Sequence, residues 1–150
     1  MIQDILPHRY DVSYHPERTP ERRSFLVLVS REGVLFAERD DAFTLPRFSD
    51  FETEALPFKS LCQKARYLFQ IDRDYFFLLP PSALPAGKLG EGYRFLGPTE
   101  LRDLKPQHLA FAAITSTQLY RFYDQRKFCG RCGEKMTHAE EERAMCCKHC

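Results

Sequence analysis

The spacing of the cysteines near the C-terminal end constrains the fold more than any other feature of the sequence. Five of the six cysteines lie in the last 22 residues, within the run KFCGRCGEKMTHAEEERAMCCKHC. Cys129 and Cys132 form one C-x-x-C pair, Cys147 and Cys150 form a second, and 14 residues separate the pairs. Two short cysteine loops joined by a β-hairpin can place four thiolates around one tetrahedral zinc ion. The pattern therefore predicts a zinc ribbon over residues 128–150.

Structural zinc is the interpretation that this spacing favours, although two other chemistries use similar cysteines. A redox C-x-x-C normally occurs singly, at the N-terminus of a helix, and neither pair has that setting. Iron–sulfur clusters also take four thiolates, but their cysteines are usually more tightly or less symmetrically spaced. A closed four-thiolate site has no open position for water. We therefore expect one zinc ion per chain that stabilises the fold and does not catalyse.

Other residues of the C-terminal segment could compete as metal ligands. Cys146 would pair with Cys150 as C-x-x-x-C, which breaks the symmetry with the first pair, so we expect Cys146 to face away from the metal. His138 and His149 are expected to be surface residues, because four cysteines already complete the coordination shell.

The glycines and basic residues of this segment also agree with a ribbon. Gly130 and Gly133 stand where the backbone must turn its N–H groups toward sulfur, and we predict conformations there that a Cβ atom would hinder. Four thiolates around Zn²⁺ carry a net charge of about −2, which nearby cations would offset. These cations are Arg126, Lys127, Arg131 and Lys148.

Length and composition limit the chain to one modest domain with a small appendage. The 150 residues are 43% hydrophobic and 13% aromatic, as in a folded globule, and a net charge of +1 gives no indication of a nucleic-acid or membrane surface. No segment has the features of a signal peptide or of a membrane span. Together with the clustered cysteines, these features predict a cytoplasmic protein.

The remaining sequence predicts an α+β fold that begins with a β-rich part. Apolar runs at Phe25–Val29 and Val34–Ala37, with Gly33 in the turn, indicate one hairpin. The runs Arg66–Ile71 and Tyr75–Leu79 indicate a second hairpin. The other expected elements are short strands at Tyr10–Tyr14, Ala42–Leu45 and Tyr93–Leu96, a loop or short helix over 47–60, and a loop over 82–92.

Two helices are predicted between the β-rich part and the ribbon. Thr99 is expected to N-cap the first, and Pro106 to lie in the first turn of the second. The apolar residues that recur at helical spacing in the second helix are Leu109, Ala113, Leu119, Tyr120 and Tyr123. The predicted organisation is a β-rich domain over 1–105, a connecting helix over 106–127 and the zinc ribbon over 128–150.

The C-terminal part closely resembles one enzyme family. The run LAFAAITSTQLYRFYDQRKFCGRCGEKMTHAEEERAMCCKHC, Leu109–Cys150, is similar to a segment of the NADH pyrophosphatases, the NAD(H) diphosphatase branch of the Nudix hydrolases. In that family the segment carries a helix into a four-cysteine zinc ribbon, and FCGRCG, ERAM and the last C-x-x-C fall at the family's spacing. Upstream, VLVSREGVLFAERDDAFTLP resembles, more weakly, the rudimentary Nudix-like domain that precedes the ribbon.

The resemblance implies a hydrolase that cleaves the pyrophosphate of NADH or NAD to nicotinamide mononucleotide and AMP; some members also remove NAD caps from RNA. The family's glutamates hold Mg or Mn in a later domain with the pattern G-x5-E-x7-R-E-U-x-E-E-x-G-U, where U is a bulky apolar residue. That pattern does not occur in these 150 residues, and the triplet Glu140–Glu142 lies inside the zinc hairpin, where carboxylates cannot converge as on one helix face. We therefore expect residues 1–150 to be an inactive, truncated portion without catalytic residues, with the catalytic domain following Cys150. The expected role of this portion is to position the catalytic domain and to help it form a homodimer.

One residue could still contact substrate in the intact enzyme. The family places a glutamate about ten positions after the second cysteine, where the ribbon contacts the nucleotide, and Glu142 matches that position. The family often follows this glutamate with Trp, whereas Arg143 stands here. A solvated charged edge is the competing interpretation of Glu142.

A free-standing zinc-ribbon module that binds nucleic acid or protein is the alternative function. The run YRFYDQRKFCGRCG interleaves aromatic and basic residues of the kind that stack on bases. The acidic run HAEEE in the same hairpin and a net charge near zero argue against a surface that follows phosphates.

Overall fold

The α+β prediction is confirmed by a computed structural model that describes residues 1–84 and 89–150. Its strands are β1 (Tyr10–Asp11), β2 (Phe25–Val27), β3 (Val29–Ser30), β4 (Gly33–Arg39), β5 (Ala42–Thr44), β6 (Arg66–Ile71), β7 (Asp74–Leu78), β8 (Tyr93–Leu96), β9 (Thr137–His138) and β10 (Met145–Cys146). Its α-helices are α1 (Phe48–Phe51), α2 (Phe58–Lys64), α3 (Pro98–Arg102) and α4 (Gln107–Gln125), and Pro81–Ala83 form a 3₁₀ turn. Of the predicted loop over 82–92, residues 85–88 lie outside the described residues. Among the described helices, none has the length and apolar character needed to cross a bilayer.

One continuous stretch of chain, residues 25–30, contributes a strand to each of two sheets. The first has the order β1-β6-β7-β2, in which β6 and β7 form the predicted hairpin and β2 runs parallel to β7. In the second, β4 is central, with β3 and β5 along one edge and β8 along the other. Only Leu28 separates β2 from β3, so this stretch passes from the first sheet into the second.

Buried side chains alternate along the strands between two hydrophobic cores. Phe25, Val27 and Val29 belong to the larger core, whereas Leu26 and Leu28 belong to the smaller one. Side chains of successive strand residues point to opposite faces, so a strand that is covered on both faces needs an unbroken apolar run. This double burial explains why the sequence shows no polar alternation between residues 25 and 29.

Helix α4 is part of the larger core as well as the connection to the ribbon. It packs against α3, β3 and β4. Its buried residues in this core are Leu109, Ala110, Ala112 and Ala113. The small side chains let the helix approach the sheet closely, and helices α1 and α2 supply residues to the smaller core.

The start of α3 differs from the prediction. The N-cap is Gly97, not Thr99, and Pro98 is the first helical residue. The fixed φ of proline suits this position. The Gly97 N–H donates to the carboxylate of Glu100 at 3.0 Å, so the N-cap lies two residues before the predicted one.

The turn between β3 and β4 requires glycine. Gly33 has a φ of +137°, and a Cβ atom placed there would lie 2.0 Å from the main-chain oxygen of Leu96 in β8. Because β8 pairs with β4 along its whole length, the backbone at Gly33 has no room to shift away from Leu96.

Candidate metal centre

The four predicted ligands come together at one end of the ribbon. The Sγ atoms of Cys129, Cys132, Cys147 and Cys150 all lie within 4.8 Å of one another. The Sγ of Cys129 is 3.6 Å from that of Cys150, and the Sγ of Cys132 is 3.4 Å from that of Cys147. A tetrahedron with metal–sulfur bonds of about 2.3 Å has sulfur–sulfur edges of about 3.8 Å. The four side chains therefore fit one tetrahedral ion.

A short hairpin and a tight loop bring the two cysteine pairs together. Strands β9 and β10 are antiparallel, with Met145 opposite His138. In the first loop the Cys129 N–H donates to the main-chain oxygen of Glu134 at 2.8 Å, and the Gly133 N–H donates to the oxygen of Cys129 at 2.9 Å. These hydrogen bonds reverse the direction of the chain directly after Cys132.

Main-chain N–H groups point at one sulfur of each pair. The N–H groups of Cys132 and Arg131 donate to the sulfur of Cys129 and lower the pKa of that thiol to about 6. Two N–H groups in the second pair do the same for Cys147, whose pKa is also lowered. Because thiolates, not thiols, bind metal, both loops favour the form that ligation requires.

The second cysteine of each pair holds its proton more strongly. Hydrogen bonds to the sulfurs of Cys129 and Cys147 raise the pKa of Cys150 to about 12. For Cys132 the Glu134 N–H acts to lower the pKa, but burial and the neighbouring sulfurs outweigh it and the pKa is raised. The four sulfurs of the metal-free cluster therefore differ in proton affinity, and a bound metal would displace the protons that remain.

One of the two predicted glycine conformations is observed. Gly133 has a φ of +76°, in the left-handed region that favours glycine. The prediction for Gly130 was wrong, because its φ is not positive and a Cβ atom there would meet nothing within 4 Å. The backbone reverses after the second cysteine of the loop, so only that position needs glycine.

The other candidate ligands lie outside the cluster. In the described part of the chain, the four cysteines are the one group of three or more His, Cys, Asp or Glu residues that could hold a metal ion. Cys146, His138 and His149 are all exposed, as expected of residues that do not bind the metal. The ring of His138 packs against Tyr123 with centroids 5.2 Å apart, and burial lowers its pKa.

Arg143 joins the ribbon to the N-terminal domain. Its guanidinium donates to the hydroxyl of Tyr123 at 3.0 Å and to the main-chain oxygen of Leu68, and it lies 5.6 Å from the ring centroid of Tyr14. The Tyr14 hydroxyl donates to the main-chain oxygen of Ala139 at 2.8 Å. In the sequence, Arg143 stands out only because the family that this segment resembles often has Trp there, and its contacts cannot be predicted because its partners are distant along the chain.

Glu142 lies beside this contact. It is exposed on the connection between β9 and β10, and its main-chain oxygen accepts the Ala144 N–H at 2.8 Å. Arg143 contacts the N-terminal domain and α4, whereas the neighbouring Glu142 is exposed at the surface of the ribbon.

No protein-family profile matches the chain, and comparison with curated proteins gives no significant match. The functional interpretation therefore depends on the geometry of the ribbon and on the sequence resemblance.

Proposed function

We propose that residues 1–150 are the N-terminal and zinc-ribbon portion of an NAD(H) diphosphatase of the Nudix type. The observation that supports this most is the cluster of four cysteine sulfurs within 4.8 Å of one another. It follows an α+β module and a long helix in the order that the resemblance leads us to expect. The free thiols that the site requires favour a reducing compartment, and we place the protein in the cytoplasm.

In this proposal the metal is zinc and its role is structural. Bound zinc would cross-link the two cysteine loops and contribute its binding free energy to folding of the ribbon. The chain's own residues then determine where the ribbon lies. Arg143 fixes it against β6 and α4 through Leu68 and Tyr123. The ribbon thereby becomes a rigid support for a Nudix domain, which would hold Mg or Mn and form the homodimer.

Glu142 is the residue of this chain that we propose to contact the nucleotide of the substrate. Its carboxylate is exposed while its neighbour Arg143 is anchored, so the ribbon presents it from a fixed position. The substrate would be NADH, NAD or the NAD cap of an RNA. Pyrophosphate hydrolysis itself is assigned to the Nudix domain, because the carboxylates of this chain do not form the family's helical pattern.

The test combines the coding sequence with a kinetic measurement. A Nudix pattern encoded directly after Cys150 is expected, and the full-length protein should release AMP from NADH in the presence of Mg or Mn. In that protein, Glu142→Gln should raise KM for NADH severalfold, whereas Glu140→Gln in the same exposed triplet should not. Residues 1–150 alone should not accelerate hydrolysis. A coding sequence without a Nudix pattern, or metal-dependent turnover by residues 1–150, would contradict the proposal.

A further inference from the structure

A cleft that the proposed function does not use lies where the N-terminal domain, α4 and the ribbon meet. Its volume is about 590 Å³, within the range of about 300–1,000 Å³ that is usual for small-molecule sites. Leu78 and Pro80 line it from the end of β7, Tyr120 and Tyr123 from α4, and Met136 from the ribbon. All three parts of the fold therefore contribute to one concave surface.

Positive charge is concentrated in this cleft. Lys64, Arg66, Lys127 and Lys135 line it, and Asp124 is the one carboxylate among the described lining residues. The Lys127 ammonium already pairs with Asp124 at 2.5 Å. The lining therefore has a formal charge of +3, although the whole chain has a net charge of only +1. A compact excess of cations of this kind attracts anions into a concave site.

Arg66 is the cation whose surroundings point most directly to an anionic ligand. Its guanidinium carbon lies 5.1 Å from the ring centroid of Tyr123, and its residue is only partly exposed. No carboxylate in the described residues lies within ion-pair distance of it. Burial lowers the pKa of Arg66, and the positive charge of Arg143 adds to this lowering. A partly buried charge without a counter-ion is costly, and a bound anion would offset that cost.

The rest of the lining suits a planar ring. Tyr120 and Tyr123 supply aromatic surface, and Met136 and Met145 supply adaptable apolar surface beside it. Arginine and lysine bind phosphate oxygens through charge-assisted hydrogen bonds. We propose that this cleft binds a small phosphate ester that carries a planar ring, with the phosphate on Arg66 and Lys64 and the ring against the tyrosines. The proposal is independent of the NAD(H) diphosphatase assignment, because every residue involved belongs to the described chain.

The experiment is calorimetric titration of the zinc-loaded chain with AMP at low salt. Adenosine tests the ring without phosphate, and inorganic phosphate tests the anion without a ring. We expect AMP to bind once per chain, and adenosine and phosphate each to bind at least about tenfold more weakly, since each lacks one half of the contacts. Saturable AMP binding should weaken as salt is raised.

Substitutions then locate the site. Lys64→Gln and Arg66→Gln should each weaken AMP binding about 10- to 100-fold, the effect of losing one hydrogen bond to a charged group. Lys59→Gln is the matched control, because Lys59 is exposed on the same helix α2 but does not line the cleft. Lys64 is also exposed, so Lys64→Gln keeps the test valid should Arg66→Gln impair folding. The proposal is overturned by undetectable AMP binding at millimolar concentration or by equal effects of Lys64→Gln and Lys59→Gln. Tighter binding of a short RNA than of AMP would also overturn it.

Discussion

Replacement of Arg143 by Met tests whether the ribbon is held rigidly against the N-terminal domain. Methionine keeps much of the apolar length of the side chain but removes the guanidinium. The substitution deletes the hydrogen bonds to the Tyr123 hydroxyl and the Leu68 main-chain oxygen, and the contact with the Tyr14 ring. The cysteine ligands are untouched, so the metal site should remain intact.

The size of the effect follows from these contacts. A hydrogen bond to a charged group contributes roughly 1.5–3 kcal/mol, and a cation–π contact at a partly exposed site contributes about 0.5–1 kcal/mol. Because Arg143 is half-buried, the lower limits of these ranges apply, and two hydrogen bonds with one cation–π contact give an expected total loss of about 3.5 kcal/mol. The carbonyl of Leu68 also loses a donor, which adds to the cost unless water replaces it.

Urea unfolding of the zinc-loaded chain, followed by circular dichroism, measures this loss. With a denaturant slope of about 2 kcal/mol per M, a loss of about 3.5 kcal/mol lowers the midpoint by roughly 1.5–2 M. Arg131→Met is the matched control, because Arg131 is an exposed arginine on the same ribbon. Zinc content should be unchanged in both variants. Equal midpoints for Arg143→Met and Arg131→Met would refute the view that Arg143 holds the ribbon in place.

Three further substitutions test the fold around the site. Gly33→Ala should lower the free energy of unfolding by about 3 kcal/mol or more, because the new Cβ would lie 2.0 Å from a main-chain oxygen of β8. The control is Gly90→Ala, where a Cβ meets nothing within 4 Å, and thermal unfolding should show a lower midpoint for Gly33→Ala but little change for Gly90→Ala. Gly133→Ala should weaken zinc retention against a competing chelator, because φ is +76°, whereas Gly130→Ala should not. Ser116→Ala should raise the free energy of unfolding by about 1 kcal/mol in urea titrations. The buried hydroxyl of Ser116 has no hydrogen-bond partner in the described residues, and alanine favours the helix more than serine does. A loss of stability would show that this hydroxyl does make a hydrogen bond in the folded protein.

Local sequence signals predict the local parts of the fold. The β6–β7 hairpin, strand β8 and helix α4 lie where apolar spacing and turn residues place them. The parallel pairing of β2 with β7 joins Phe25 to Phe76, and no turn or periodicity relates positions so distant along the chain. The two cores depend on that pairing, so they too are visible only in the folded structure.

At the metal centre, too, the sequence predicts the local motifs but not the contacts between distant parts of the chain. The four cysteines are predictable because each pair is a short local motif and the spacer fits one hairpin. The contact of Arg143 with Leu68 is not predictable, because the two residues come from the ribbon and from β6. The cleft around Arg66 likewise combines residues from α2, β6, α4 and the ribbon, and no sequence pattern relates these lining residues to one another.

Metal content tests the central claim most directly, namely that four cysteine sulfurs enclose one zinc ion. The chain would be purified under reducing conditions without added metal, and zinc would be measured by inductively coupled plasma mass spectrometry beside a count of free thiols after denaturation with a chelator. We predict one zinc per chain and six free thiols, the number of cysteines in the sequence. A metal-free chain, with thiols lost to disulfide bonds between Cys129, Cys132, Cys147 and Cys150, would contradict that claim.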